Sequence, residues 1–71
     1  MASLKTRFGN KLKSLRTQKG LTQEQLADAT ELSIESISNM ERDIFGPRFN
    51  NLEKIAAALN VEVVRLFEFQ K

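Results

Sequence analysis

TQEQLADATELSIESISNMER, residues 22–42, is the stretch whose reading decides the fold. Thr22-Gln23-Glu24-Gln25 has the form of a capping box: the Thr22 hydroxyl can accept from the backbone N–H three residues on, and the Gln25 side chain can reach back. Leu21, before the cap, and Leu26, inside the helix, are spaced for a hydrophobic staple. A helix follows over about Gln23 to Ala29, with Leu26 and Ala27 facing inward. Ala27 is small, as a closely crossing second helix requires. Thr30-Glu31-Leu32 reads as a turn. Ser33 then caps a second helix, with Glu35 in its first turn, where the helix dipole favours an acid. Leu32, Ile37 and Met40 make its inner stripe, which leaves Ile34, Glu35, Ser38 and Asn39 pointing outward.

The flanking residues read as what is needed to fold and clamp this pair. Leu4, Phe8, Leu12 and Leu15 form one helical stripe, so a first helix is expected over about Ser3 to Lys19. Gly9 weakens it by roughly 1 kcal/mol relative to Ala, so fraying of its first turn is expected. Gly20 stands where a left-handed residue would end it. After the pair, Asp43 to Phe49 is a loop punctuated by Gly46-Pro47. Asn50 and Glu53 suggest a looser capping box for a fourth helix, with Leu52, Ile55, Ala56 and Leu59 inward and Asn60 as its left-handed stop. Val61 packs back, and Val63 to Phe69 is expected as a short final helix. A strand reading of VEVVRLFEF is set aside, because it would have no partner in an all-helical chain.

Seventy-one residues fit one domain, residues 1–71. A core of this size rarely supplies more than ~3–5 kcal/mol. With no cysteine and no histidine, disulfides and the usual zinc sites are excluded, so oligomerisation is the expected supplement. No apolar run of about 18 residues exists, and the N-terminus has no signal-type core, so no membrane span and a cytoplasmic location are expected. The net charge is +2, but its distribution is lopsided. Residues 1–20 hold six bases (Lys5, Arg7, Lys11, Lys13, Arg16, Lys19) and no acid, whereas residues 21–45 hold Arg42 against six acids (Glu24, Asp28, Glu31, Glu35, Glu41, Asp43). The basic block suits phosphates; the acidic middle argues against indiscriminate DNA binding. An enzyme is not expected: no catalytic residue pattern or phosphate-binding glycine loop is present. No cofactor, metal or small-molecule ligand is expected.

Two short helices joined by a tight turn, the second with a polar outer face, have the layout of a helix-turn-helix, which holds one helix out for a DNA groove. LRTQKGLTQEQLA, the SxxxIS segment at Ser33–Ser38, Met40-Glu41 and LEKIAAALNV together resemble the lambda-repressor-like (Cro/C1, XRE) family of regulators. The resemblance runs from about Leu12 to Phe67. ESISNMER and the VVRLFEF tail are also similar to the small controller proteins of restriction–modification systems. The resemblance implies an all-α, compact five-helix domain with the helix-turn-helix at about 22–42 and a C-terminal dimerisation segment at about 61–71. It implies a homodimer on a palindromic operator in duplex DNA. By position it implies that Gln23 grips a phosphate and braces the second helix of the pair. It places Ile34, Glu35 and Asn39 at base edges and pairs Arg16 with Glu41; similarity to one phage repressor subgroup sends Arg48 of Pro47-Arg48-Phe49 toward the minor groove. Two departures stand out: Glu31 where glycine is usual, and apolar Ile34 where a polar or basic residue is common.

Each residue also has a plainer reading. Gln23 could be an ordinary capping-region glutamine, Ile34 could complete the core instead of meeting a thymine methyl, and Glu35 could serve the helix dipole instead of a cytosine amino group. Ser38 and Asn39 are assigned to base-edge or phosphate bonds, and Ser36, Arg42, Arg48 and Asn51 to phosphate or minor-groove contacts, against a solvated surface. Val64, Phe67 and Phe69 are assigned to the dimer contact, chiefly Val64 and Phe69, with Phe67 sealing the core. The chain is expected to lack a separate effector domain, so control would come from its own concentration. A rival reading is an antitoxin or phage-type repressor whose main role is a protein–protein interaction.

Overall fold

Among the described residues, four helices end in the same way. After each, one residue turns left-handed: Gly20 (φ +73°), Glu31 (φ 62°), Asp43 (φ 70°) and Asn60 (φ 57°). The next backbone N–H then returns to a carbonyl of the last turn: Leu21 to Arg16, Leu32 to Ala27, Ile44 to Asn39 and Val61 to Ala56, at 2.9–3.2 Å. This closure satisfies carbonyls that a helix end leaves bare, and it favours glycine at the left-handed position. Three of the four positions do without glycine, and two of those, Glu31 and Asp43, bracket the same helix.

The computed structural model describes residues 2–69. The helices are α1 (Leu4–Gln18), α2 (Gln23–Thr30), α3 (Ile34–Glu41) and α4 (Phe49–Leu59), followed by a single 3₁₀ segment, Val63–Phe67; no strand occurs among the described residues. Starts are set by caps. Ser3 accepts from the Thr6 N–H and Ser33 from the Ser36 N–H. At α2 both capping-box bonds form: the Gln25 N–H reaches the Thr22 hydroxyl at 3.0 Å, and the Thr22 N–H reaches the Gln25 side chain at 2.8 Å. Thr30 extends α2 beyond the expected Ala29, because its buried hydroxyl donates to the Leu26 and Ala27 carbonyls. The turn therefore narrows to Glu31-Leu32.

The core gathers Phe8, Leu12 and Leu15 of α1, Leu26 and Ala27 of α2, Ile37 and Met40 of α3, Leu52, Ile55, Ala56 and Leu59 of α4, and Leu66. Leu21, Leu32, Val61 and Phe67 pack against it. The helix α3 rests on α1 and α2, α2 also meets α4, and the 3₁₀ segment closes against α1 and α4. No described helix is long and apolar enough to cross a membrane.

Four expectations are corrected. The five-helix count becomes four α-helices and a 3₁₀ turn: the tail coils only over Val63–Phe67, with the Arg65 N–H on the Glu62 carbonyl. So short a run that opens on two β-branched valines favours the tighter i→i+3 pattern. The final two residues of the 61–71 segment lie outside the described residues. Second, α4 starts at Phe49 with Arg48 at the cap position and no side-chain cap bond. Asn50 is already helical and cannot serve as the cap. Third, Leu4 is 54% exposed, so the core stripe starts one turn later, at Phe8. Fourth, the first turn of α1 is held by Ser3, and Gly9 is buried against the Met40 and Glu41 carbonyls rather than being a weak point.

The left-handed Glu31 supplies a test. A non-glycine residue there costs on the order of 1–3 kcal/mol, while glycine loosens the unfolded chain by about 0.4–1 kcal/mol. Glu31→Gly is therefore expected to stabilise the protein by about 1 kcal/mol in urea melts. A lower midpoint would mean that the Glu31 side chain holds the turn by something other than its backbone.

Candidate nucleic-acid interface

The centre of the site is a carboxylate buried beneath it. Glu41 closes α3, and its side chain is 2% exposed. Arg16 of α1 grips it through both oxygens, Nε to Oε2 at 2.7 Å and Nη2 to Oε1 at 3.1 Å. The remaining guanidinium nitrogen donates to the Leu21 carbonyl at 2.8 Å, just before α2. The Gln23 side-chain amide, in the first turn of α2, adds a bond to Glu41 Oε1 at 3.1 Å. Three segments thus converge on one acid and fix the angle at which α3 stands. The hydrogen bond to Glu41 raises the Arg16 pKa above its ordinary value, burial works against this, and the charge of Glu41 adds to the rise. Arg16 is therefore a permanent cation at this position.

A second tie lies near the start of α1. The Thr6 hydroxyl donates to Asp43 Oδ2 at 2.6 Å, and Asp43 Oδ1 is buried without a partner. Composition gave no hint of this link, which spans 37 residues. Together the two ties answer the acidic middle of the sequence. Glu41 and Asp43 point inward to partners, which leaves Glu24, Asp28, Glu31 and Glu35 as the exposed acids of that segment.

Outward from this anchor, α3 presents its free face. Ile34 is 47% exposed, which decides between its two readings: it is not part of the core. Glu35 is exposed, and Ser38 and Asn39 are half-buried. Among the described residues none of these three polar side chains has a hydrogen-bond partner. Ser36 is engaged locally, accepting from the Ser33 hydroxyl at 3.0 Å. It also lines an open depression of about 660 Å³ between α3 and the start of α4, together with Phe45, Arg48, Asn51 and Lys54. Ser36, Arg48 and Asn51 are thereby brought to one surface. Arg42 is exposed at the end of α3. Lys54, which borders the same depression, was not singled out from sequence; its spacing from Asn50 and Asn51 on α4 was the available signal.

The three tail residues do not share a surface. Phe67 stacks on Phe8 at 5.5 Å between ring centroids, and Phe69 meets Phe67 edge-on with the Arg7 guanidinium 5.0 Å above its ring. Val64 lies on the α4 side and is 61% exposed.

A short helix locked from below through its terminal acid, with its other face turned to solvent, defines a helix-turn-helix domain. The helix-turn-helix family model matches residues 12–66, and the chain belongs to this family, in its lambda-repressor-like form. It is 41% identical over 68 residues to the control protein C.MunI of a Mycoplasma species, covering 94% of this chain and 92% of that one. It is 38% identical over 55 residues to the immunity repressor protein of Bacillus phage phi105; that match covers 78% of this chain but spans only 38% of the repressor. Among solved structures, the restriction–modification controller protein C.AhdI from Aeromonas hydrophila superposes with a TM-score of 0.85 at 39% identity, over 87% of this chain and 94% of that one.

Proposed function

We propose that the protein is a sequence-specific DNA-binding regulator of transcription, acting in the cytoplasm as a homodimer on a palindromic operator, and that it controls restriction–modification genes. The observation that carries this reading is the outward face of α3, where Glu35, Ser38 and Asn39 have no side-chain partner among the described residues while Glu41 at the helix end is held by Arg16 and Gln23. Similarity to named controller proteins over nearly the full length of both chains supports the choice of regulated genes.

In this reading Ile34 packs on a thymine methyl, Glu35 accepts from a cytosine amino group, and Ser38 and Asn39 bond to base edges. A side-chain amide has two N–H donors. Gln23 uses one on Glu41 and turns the other to a phosphate, so one residue both braces α3 and fixes its register. Ser36, Arg42 and Asn51 hold further phosphates, and Arg48 reaches from its depression toward the minor groove. Two subunits present α3 to successive major grooves, ~34–36 Å apart. Because dimerisation and DNA binding reinforce each other by mass action, the response is steep in protein concentration without a small ligand.

Random-site selection with the purified protein, followed by footprinting, is expected to return a two-fold symmetric site. On that site the combined Gln23→Ala and Asn39→Ala variant should bind about 100-fold more weakly, from the ~1–3 kcal/mol that a good base contact carries plus a lost phosphate bond. Circular dichroism should report a folded protein. Undiminished affinity in the folded variant would place the DNA on another surface.

A further inference from the structure

The outer face of α3 holds no cation. Between Lys19 and Arg42 the chain has neither lysine nor arginine. The side chains left free on that face are Ile34, Glu35, Ser38 and Asn39: one apolar, one acceptor, one hydroxyl and one amide. Glu35 and Asn39 are four residues apart, so they share a stripe and stand about 6 Å apart along the helix, close to two base-pair steps. Each base offers such a face a different edge. Guanine shows two acceptors in the major groove and is usually read by arginine or lysine. A carboxylate can bond only to an amino group there. Cytosine N4 suits it better than adenine N6, because N6 lies beside N7, an acceptor that repels the carboxylate. The Asn39 amide, donor and acceptor together, matches adenine N7 and N6.

We infer that α3 reads its half-site through exocyclic amino groups, cytosine N4 at Glu35 and adenine N6 at Asn39, and that methylation of those nitrogens shuts the operator off. This rests on the DNA-binding reading above and adds a control to the same face. An amino group carries two hydrogens. Base pairing uses one, and the other faces the major groove. A methyl that leaves the pair intact therefore replaces the hydrogen that α3 needs. At Glu35 it sets an apolar group against a carboxylate that has left water and now lacks a donor. At Asn39 it removes one of two bonds and occupies the place of the amide oxygen. A methyl on cytosine C5 acts differently: it leaves N4 free and copies the thymine methyl that suits Ile34. Enzymes that methylate amino nitrogens thus silence the site, whereas enzymes that methylate C5 do not. The missing cations make the effect large, since α3 has no guanidinium on a guanine to carry binding when the amino contacts fail.

The probe is the symmetric duplex returned by random-site selection, synthesised plain and with single modified bases, and binding is read by fluorescence anisotropy. Repeating the selection with Glu35→Ala and with Asn39→Ala assigns the positions: the first should relax a C·G pair and the second an A·T pair. With wild-type protein, N4-methylcytosine at the Glu35 position of both half-sites should weaken binding about 100-fold, tenfold for each lost contact. N6-methyladenine at the Asn39 position should do the same. At the same cytosine, 5-methylcytosine should keep affinity within about threefold, since N4 is untouched. Glu35→Ala should bind plain and N4-methylated duplexes alike while still rejecting N6-methyladenine, and Asn39→Ala should show the reverse. Circular dichroism should report both variants as folded. If selection returns no site, the DNA-binding reading fails and this inference with it. A selected site indifferent to both amino methyls would overturn the inference alone, and so would variants that relax neither pair. Methyl effects as large in Glu35→Ala and Asn39→Ala as in wild type would also overturn it, since they would trace the loss to altered DNA shape rather than to these side chains.

Discussion

Arg16→Met is expected to lower the melting temperature by on the order of 20 °C, whereas Lys19→Met, at the exposed cap position that ends the same helix, should shift it by only a few degrees. The difference follows from what each substitution strands. Lys19 has only solvent to lose. Removing Arg16 leaves Glu41 buried with the Gln23 amide as its remaining side-chain donor, and it also strips the Leu21 carbonyl of the guanidinium. Breaking one side of a buried pair costs ~3–5 kcal/mol, and the surviving Gln23 bond puts this case near the lower end. In a domain of this size that is most of the stability. The sharper measurement is a double-mutant cycle. Arg16→Met combined with Glu41→Leu removes both charges, so it should be more stable than Arg16→Met alone. That rescue concerns folding only. With the anchor replaced by apolar contact, α3 is free to tilt, and operator affinity should fall further than stability does. A double variant no better than the single one would mean that the cost arises from lost packing of the Arg16 stem rather than from an unpaired acid.

The parts of the fold readable in advance are those written in neighbouring residues. The capping box at Thr22, the serine caps, the apolar stripes of α2 and α3 and the left-handed Asn60 each depend on residues a few positions apart, and each has one main physical solution. The Arg16–Glu41 pair, 25 residues apart, was accessible only through the family resemblance, because no local pattern links α1 to the end of α3. The Thr6–Asp43 bond had neither source. The start of α4 was misplaced by a local rule that the backbone overrode: Asn50 looks like a cap, but helical geometry is already in force at Phe49. The layout of the tail side chains was out of reach for a related reason. Its apolar residues were counted together, and only the fold reveals that Val64 faces α4 while Phe69 turns back under Arg7. Ile34 shows what periodicity leaves open. Spacing allowed it on either face, and burial of Ile37 and Met40 settled the helix's rotation.

Gly9→Ala is the second substitution from which a large effect is expected, and two terms of opposite sign decide it. In an isolated helix alanine would gain roughly 1 kcal/mol over glycine. Here, however, a Cβ on residue 9 would drive into the Met40 carbonyl oxygen and lie 3.2 Å from that of Glu41. Both obstacles are backbone carbonyls of the last turn of α3, so no side chain can swing aside. Overpacking a tight contact costs typically 1–3 kcal/mol and occasionally more. A clash with backbone at sub-contact distance belongs at the upper end, so the net change is a destabilisation of about 2 kcal/mol, or ~10 °C in melting temperature. The alternative to unfolding is for α1 and α3 to separate, which would stretch the Arg16–Glu41 bonds and the Thr6–Asp43 bond together, since all three contacts join the same two faces. Operator binding is therefore expected to fall even at temperatures where the variant is fully folded, and ligand-free crystals should show α3 displaced from α1. A stabilised Gly9→Ala with unchanged DNA affinity would mean that the two helices do not meet at backbone distance in solution, and that α3 is oriented from α2 alone.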